Sequence, residues 1–119
     1  MTQALPAIPH RFFAAMQTGA SAESEMMSLF ADEATYVEPF SGRSTTHKGK
    51  AAIRAAFVRG WRSPMPNMTI TVDRVELDGD QVTAHWTCRS PALPGGEGRG
   101  VNVYKLANGL IVRLETRIA

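Results

Sequence analysis

The spacing of apolar residues changes along the chain at the proline-containing stretch 63–66. Before this point apolar residues recur at the three- and four-residue spacing of amphipathic helices, and after it apolar and polar residues alternate as they do in β-strands. Helical segments followed by consecutive strands are typical of an α+β fold, in which the helices cover one face of an antiparallel sheet. We therefore expect this fold class.

Three helices are predicted before the change in spacing. The first carries apolar residues at helical positions and ends before Gly19, and the second starts after Ser21, which suits an N-cap, and ends near Phe30. The third follows Gly49 and ends before Pro64. The apolar positions of the first and third helices are Ile8, Phe12, Phe13, Met16, Ile53, Ala56, Phe57 and Trp61.

Turn signals divide the second half of the chain into four predicted strands. Asp78-Gly79 marks a tight hairpin, and Asn108-Gly109 is a dipeptide strongly favoured in two-residue β-hairpin turns. Residues 91–100 are rich in glycine and are predicted to be a connection. The first of these strands begins near Met68. The other three span residues 82–88, 101–106 and 110–118.

One acidic residue, Glu38, stands at the predicted end of a short strand between the second and third helices. Tyr36 and Val37 are strand-favouring residues, and Pro39 ends the strand because it has no backbone N–H to donate. Side chains alternate between the faces of a strand, so Glu38 shares a face with Tyr36 and would point inward. The alternative is that Val37 and Phe40 face the core and Glu38 is solvated.

Two motifs in this region resemble a known family. The stretch Phe-Ala-Asp-Glu-Ala-Thr-x-x-Glu-Pro at residues 30–39, followed by Gly-Lys-Ala-Ala-Ile-Arg-Ala-Ala-Phe at residues 49–57, is similar to the ketosteroid isomerase and SnoaL-like polyketide cyclase branch of the nuclear transport factor 2-like (NTF2-like) superfamily. The resemblance covers nearly the whole chain. It implies one domain over residues 1–119, in which a cone-shaped, curved antiparallel sheet wraps around three N-terminal helices. This fold is also called a cystatin-like α+β barrel.

The same resemblance implies roles for three residues. Glu38 occupies the position of the catalytic base, where the isomerases have an aspartate. Asn102 occupies the position of a protonated acid that donates a hydrogen bond to the enolate oxygen. Phe12 stands where the isomerases have a donating tyrosine, so this donor is missing.

Strand alternation predicts which side chains face a cavity. The inner set is apolar and aromatic except for Glu38 and Asn102, as is typical of a small-molecule site. The alternative is an ordinary core, since aromatic side chains bury large areas in any case. On the last strand the alternation places Val112 inside and Ile111 outside. The predicted lining of a site for a steroid- or polyketide-like molecule is Phe12, Met16, Phe30, Tyr36, Phe57, Trp61, Trp86, Cys88, Tyr104, Leu114 and Thr116.

Composition argues against several classes of partner and compartment. The thirteen Lys and Arg residues are scattered among eleven acids, with a net charge of +2, so nucleic-acid binding is not predicted. Cys88 is the single cysteine, which precludes an intramolecular disulfide. The N-terminal residues lack the pattern of a signal peptide and no apolar run reaches membrane-spanning length. We therefore expect a cytoplasmic protein without a membrane partner.

No metal or other cofactor is predicted. His10, His47 and His85 are far apart in the sequence and lack the spacing of metal ligands. The Gly-rich stretch 95–100 is followed by a predicted strand rather than a helix, which argues against a phosphate-binding loop.

The leading functional hypothesis is a ketosteroid isomerase-like domain that binds a hydrophobic small molecule. Glu38 would move a proton next to a ketone while Asn102 stabilises the oxyanion. One alternative is a non-catalytic ligand-binding or dimerisation module of the same fold. Another is a cyclase or dehydratase, which would need a second acid or a histidine in the cavity; a β-bulge could turn His85 inward.

A homodimer is also predicted, because the outer face of the sheet is more apolar and β-branched than a free surface requires and family members commonly dimerise through it. The residues predicted for this face are Thr83, His85, Thr87, Val101, Val103, Ile111, Arg113 and Glu115.

Overall fold

Six strands form one sheet in the order β2-β1-β6-β5-β4-β3 in the computed structural model, which describes residues 7–40 and 42–119. The helices are α1 (Ile8–Thr18), α2 (Glu23–Ser28) and α3 (Lys50–Arg62), with short 3₁₀ turns at Ala20–Ala22 and Pro94–Gly96. The strands are β1 (Phe30–Glu38), β2 (Thr45–Lys48), β3 (Thr69–Asp78), β4 (Gln81–Arg89), β5 (Glu97–Ala107) and β6 (Leu110–Ile118).

The predicted α+β class is confirmed: three helices cover a curved sheet that does not close on itself. Neighbouring strands pair antiparallel except β1 and β6, which run parallel. The parallel pair arises because the chain leaves β1 through β2, α3 and three further strands before β6 returns beside it. Strand β6 thereby lies between β5 and β1, the strand that carries Glu38.

The core lies between the sheet and the helices. Helix α1 packs against α2 and β3, and α3 packs against β1 and β2. The Phe12 ring is fully buried, and the rings of Phe13, Phe30, Phe57 and Tyr104 surround it edge-on at centroid distances of 5.2 to 6.5 Å. Edge-to-face contacts of this kind are favourable for aromatic rings beyond the area that they bury.

The three predicted helices are present, but the boundary between the second helix and the first strand differs from the prediction. Helix α2 ends at Ser28, and β1 begins at Phe30, so Asp32 and Glu33 lie within a strand. Ser21 lies in the 3₁₀ turn before α2 and makes no capping hydrogen bond there. The apolar spacing of this region fits a helix, yet pairing with β6 draws it into the sheet.

Two further strand boundaries differ from the prediction. Strand β2 lies in the polar stretch between Pro39 and Gly49, where no strand is predicted, and β5 begins at Glu97, within the predicted connection. Both segments are polar, so their apolar content does not mark them as strands. Hydrogen bonding to β1 and β4 nevertheless incorporates them into the sheet.

The last hairpin turns at Asn108 and Gly109, as predicted. Both have positive φ angles, 54° and 78°, as a type I′ turn requires. Strand β6 spans the predicted residues, but the predicted alternation at its start is wrong, because the pairing with β5 is irregular between Lys105 and Leu106. This bulge reverses the alternation, so Ile111 is buried and Val112 is only half-buried.

Within the described ranges, no helix combines the length and apolar character needed to cross a membrane.

Candidate functional site

A cavity of about 290 Å³ lies between α1 and the inner face of the sheet. Its lining is mostly apolar, with aromatic rings and methionine side chains along the walls. The predicted site residues that line it are Phe12, Met16, Tyr36, Trp86, Cys88, Asn102 and Thr116.

A wider groove of about 820 Å³ adjoins this cavity. Three predicted site residues line the groove but not the cavity: Glu38, Phe57 and Trp61. The two spaces share five lining residues, Met16, Tyr36, Phe40, Met65 and Met68. A ligand with its body in the cavity can therefore extend past these residues toward Glu38.

The carboxylate of Glu38 is held through both oxygens. Its Oε1 accepts a hydrogen bond from the backbone N–H of Phe40 at 2.8 Å, and its Oε2 lies 3.0 Å from Nε2 of His47. The Glu38 side chain is 13% exposed and that of His47 is 11% exposed. Glu38 therefore lies on the inner side of β1, as the alternation predicted, in a fixed and largely enclosed position.

His47 is a site residue that the sequence reasoning missed. It lies on β2 directly opposite Tyr36 of β1, and the two rings are 5.8 Å apart. Burial alternates along the four residues of β2, but all four are polar, so the sequence shows no matching alternation of apolar and polar residues. The inward position of His47 depends on pairing with β1, which local sequence does not specify.

The amide of Asn102 organises a buried hydrogen-bond network at the cavity wall. Its Oδ1 accepts hydrogen bonds from Nε1 of Trp86 at 3.0 Å and from the hydroxyl of Thr116 at 2.9 Å. Its Nδ2 donates to the hydroxyl oxygen of Tyr104 at 3.0 Å. Asn102 is 2% exposed. A buried amide oxygen needs hydrogen-bond partners, and the contacts with Trp86 and Thr116 supply them.

Two tyrosine hydroxyls adjoin this network, and both stay protonated. Burial, followed by the negative charge of Glu38, raises the pKa of Tyr36, and a hydrogen bond with Thr116 partly offsets the rise. Burial also raises the pKa of Tyr104, against the effect of its hydrogen bond with Asn102. The phenol groups are therefore hydrogen-bond donors at neutral pH.

The remaining predicted lining residues, Phe30, Tyr104 and Leu114, are fully buried and line neither the cavity nor the groove. They belong to the packed core beside the site. Cys88 lies in the cavity wall, and burial raises the pKa of its thiol, so it is a neutral, weakly nucleophilic side chain.

His85 stays outside the cavity. The bulge in the hairpin formed by β3 and β4 lies on β3, between Val72 and Arg74. It leaves the His85 side chain on the outer face of β4. There its Nε2 lies 2.6 Å from a carboxylate oxygen of Glu76. The histidine that approaches the candidate site is thus His47 and not His85. In the part of the chain that the structure describes, no three His, Cys, Asp or Glu side chains are grouped to hold a metal ion.

Solved structures share this fold over nearly the entire chain. A candidate polyketide cyclase from Sinorhizobium meliloti superposes with a TM-score of 0.78 at 20% identity, covering 95% of this chain and 95% of that chain. A protein with a ketosteroid isomerase-like fold from Catenulispora acidiphila, in complex with trimethylamine, gives a TM-score of 0.77 at 20% identity, covering 96% and 86%. A candidate ketosteroid isomerase from Kribbella flavida gives 0.72 at 19% identity, covering 96% and 76%.

At these identities the solved structures establish the fold alone. A search of curated protein sequences gives no significant match. The family model for the SnoaL-like domain matches residues 10–114, which include both Glu38 and Asn102. The chain therefore belongs to the SnoaL-like family of the NTF2-like superfamily.

Proposed function

We propose that this protein binds a small hydrophobic ketone and that Glu38 moves a proton at the carbon next to its carbonyl group. The observation that carries the proposal is the position of Glu38, on the wall of a groove that shares five lining residues with an apolar cavity. A concave, mostly apolar space with a few polar groups is the usual form of a small-molecule site.

Glu38 has the chemistry and the geometry of a general base. A carboxylate has about four lone-pair positions, and the contacts with Phe40 and His47 use one on each oxygen. The remaining positions can accept a proton from a ligand in the groove. General acid–base catalysis by a positioned side chain typically contributes about 10² to 10⁴ in rate.

Asn102 is the proposed donor to the oxyanion that forms when the proton leaves. Its amide nitrogen carries two hydrogens, and the hydrogen bond to Tyr104 uses one. The residue lines the cavity, so the second hydrogen is the one available to a ligand oxygen. A fixed donor of this kind stabilises negative charge without having to reorganise during the reaction.

A second function, ligand binding without catalysis, is favoured by the same network. The Oδ1 of Asn102 already accepts two internal hydrogen bonds and its Nδ2 makes a third. Phe12 also brings no hydroxyl group into the cavity. A site built in this way can enclose an apolar molecule while its polar groups satisfy one another.

The cyclase or dehydratase alternative draws support from the contact between His47 and Glu38. A cyclase or dehydratase needs a second group that can take up or release a proton, and histidine changes its charge near neutral pH. His47 does not line the cavity or the groove, so it would act through Glu38.

Turnover of a defined probe distinguishes proton transfer from binding alone. The probe is androst-5-ene-3,17-dione, whose isomerisation produces a conjugated enone that absorbs in the ultraviolet. The wild-type protein should convert it, and Glu38→Gln should abolish conversion, because the amide cannot accept the proton but can keep the contacts with Phe40 and His47. Native mass spectrometry with the product enone measures binding in both proteins. Binding without conversion would replace the catalytic proposal with the binding function.

The proposed assembly is a homodimer formed through the outer face of the sheet, in the cytoplasm. Val101, Val103 and Thr83 are half-buried on this face, among the charged side chains of β3 and β6. Ile111 does not contribute, because the bulge in β6 turns it inward. Light scattering at tens of micromolar protein should give the mass of a dimer, and a monomer at this concentration would contradict the proposed interface.

A further inference from the structure

We infer that the hydroxyl group of Tyr36 is a second hydrogen-bond donor to the carbonyl oxygen of the ligand, and hence a catalytic residue. The inference rests on the proposed function, since it assigns a further role in the same proton transfer. The Tyr36 hydroxyl supplies a hydrogen-bond donor from β1. The Phe12 side chain of α1, which lines the same cavity, has no hydrogen-bond donor.

The first support is the position of Tyr36 at the junction of the cavity and the groove. It lines both spaces, together with Phe40 and three methionines. Phenylalanine and methionine side chains have no hydrogen-bond donor, so Tyr36 has the one donating side chain among these shared residues. A ligand that extends from the cavity to Glu38 must pass this hydroxyl-bearing side chain.

The second support is that the ring of Tyr36 is held in place. It stacks on Phe57 at a centroid distance of 5.2 Å with 13° between the ring planes, and it packs against His47 on β2. Tyr36 is buried and lies two residues before Glu38 on the same face of β1. Because both side chains project from one short strand segment, the proton acceptor and the donor keep a fixed relative position.

The third support is the state of the hydroxyl group. Burial and the nearby charge of Glu38 raise the pKa of the Tyr36 phenol and so keep it protonated, and a hydrogen bond with Thr116 partly offsets the rise. Thr116 in turn donates to Asn102, which joins Tyr36 to the residue already proposed as an oxyanion donor. A phenol O–H can rotate about its C–O bond, so it can turn from Thr116 to a ligand oxygen.

The test compares Tyr36→Phe with Thr71→Val. Tyr36→Phe removes only the hydroxyl group, whereas Thr71→Val removes a hydroxyl group from an exposed position on β3 that lines neither the cavity nor the groove. Conversion of androst-5-ene-3,17-dione gives kcat and KM. The ultraviolet absorption of bound androst-4-ene-3,17-dione reports hydrogen bonding to its carbonyl oxygen without requiring turnover. Circular dichroism checks that both variants are folded.

We expect Tyr36→Phe to lower kcat by about 10² to 10³, the usual effect of losing one oxyanion donor, with a smaller change in KM. We also expect it to reduce the red shift of the enone absorption that a hydrogen bond to the carbonyl oxygen causes, and Thr71→Val to keep the wild-type kcat and red shift. Equal losses in the two variants would overturn the inference, because the effect would then not be specific to the Tyr36 hydroxyl. Unchanged kcat and absorption in Tyr36→Phe would also overturn it while leaving the role of Glu38 intact. If the wild-type protein neither converts nor binds the probes, the proposed function and this inference both fail.

Discussion

Nε2 of His47 lies 3.0 Å from Oε2 of Glu38, although the two residues are on different strands and nine positions apart in the sequence. The contact exists because β2 pairs antiparallel with β1, which places His47 opposite Tyr36 and diagonally beside Glu38 on the same face. With the Phe40 N–H on the other oxygen, it fixes the orientation of the proposed base.

Replacing His47 by leucine should lower kcat for the enone probe by about 10- to 100-fold. The carboxylate would lose the partner of one oxygen, and small displacements of a catalytic group carry penalties of this size. KM should change less than kcat, because His47 lines neither the cavity nor the groove. Steady-state kinetics on the isomerisation of androst-5-ene-3,17-dione measures both quantities.

His85→Leu is the matched control for His47→Leu. His85 makes a comparable contact with Glu76, but on the outer face of the sheet. We expect this variant to keep the wild-type kcat. A similar loss in both variants would mean that His47 supports the fold in general and does not position Glu38.

The sequence predicted much of the fold, since local signals determine most of it. Pro39 ends β1 directly after Glu38, and Asn108-Gly109 forms the predicted turn. The position of His47 was not predicted, because it depends on which strand β2 pairs with. The inward position of Ile111 was also missed, because a bulge changes the alternation without an obvious local signal.

The lining of the cavity was harder to predict than the fold. Alternation identifies the face of a strand but not the depth at which a side chain lies. Tyr104 shares its strand face with Asn102, yet it lies in the packed core while Asn102 lines the cavity. Phe57 and Trp61 face the groove instead, because α3 covers the sheet beside β1 and β2.

Alkaline pH should destabilise the protein through its two buried tyrosines. Their pKa values are raised in the folded state, so the unfolded chain releases these protons first. The stabilising contribution is complete below the ordinary tyrosine pKa of about 10 and is lost as pH rises above it. Between about pH 10 and its raised folded-state pKa, each tyrosine should lower the free energy of unfolding by about 1.4 kcal/mol for each pH unit.

Urea unfolding between pH 8 and about pH 11 checks this prediction. Tyr104→Phe should make the decline with pH less steep, because one of the two titrating groups is gone. A decline as steep as that of the wild-type protein would show that Tyr104 does not contribute to it.

Gly100→Ala should destabilise the fold by about 1 to 3 kcal/mol, the usual cost of overpacking a core. Gly100 pairs with Trp86 across β4 and β5, and a Cβ atom there would overlap Cζ2 of the indole ring and lie 2.5 Å from the carbonyl oxygen of Arg117. The indole would have to move away from Asn102, which accepts its N–H. Urea unfolding measures the free energy, and tryptophan fluorescence reports the altered indole environment.

Gly98→Ala is the control for this substitution, since Gly98 lies on the same face of β5. The nearest atom to a Cβ there is Cδ1 of Leu93 at 3.6 Å, an ordinary van der Waals distance. We expect little or no loss of stability in this variant. Comparable destabilisation of both proteins would point to backbone effects in β5 and not to the contact between Gly100 and Trp86.

Occupancy of the cavity can be measured through Cys88, independently of any catalysis. The thiol is buried in the cavity wall, and its raised pKa leaves less of the reactive thiolate at pH 8 than a free cysteine has. Alkylation by iodoacetamide should therefore be slow in the folded protein, fast in urea, and faster as pH rises. Saturating androst-4-ene-3,17-dione should slow it further, because a steroid in the cavity covers the sulfur. The rate is followed by mass spectrometry of the intact chain. An unchanged rate with bound steroid would show that the ligand does not reach the Cys88 wall and that the groove beside Glu38 holds it alone.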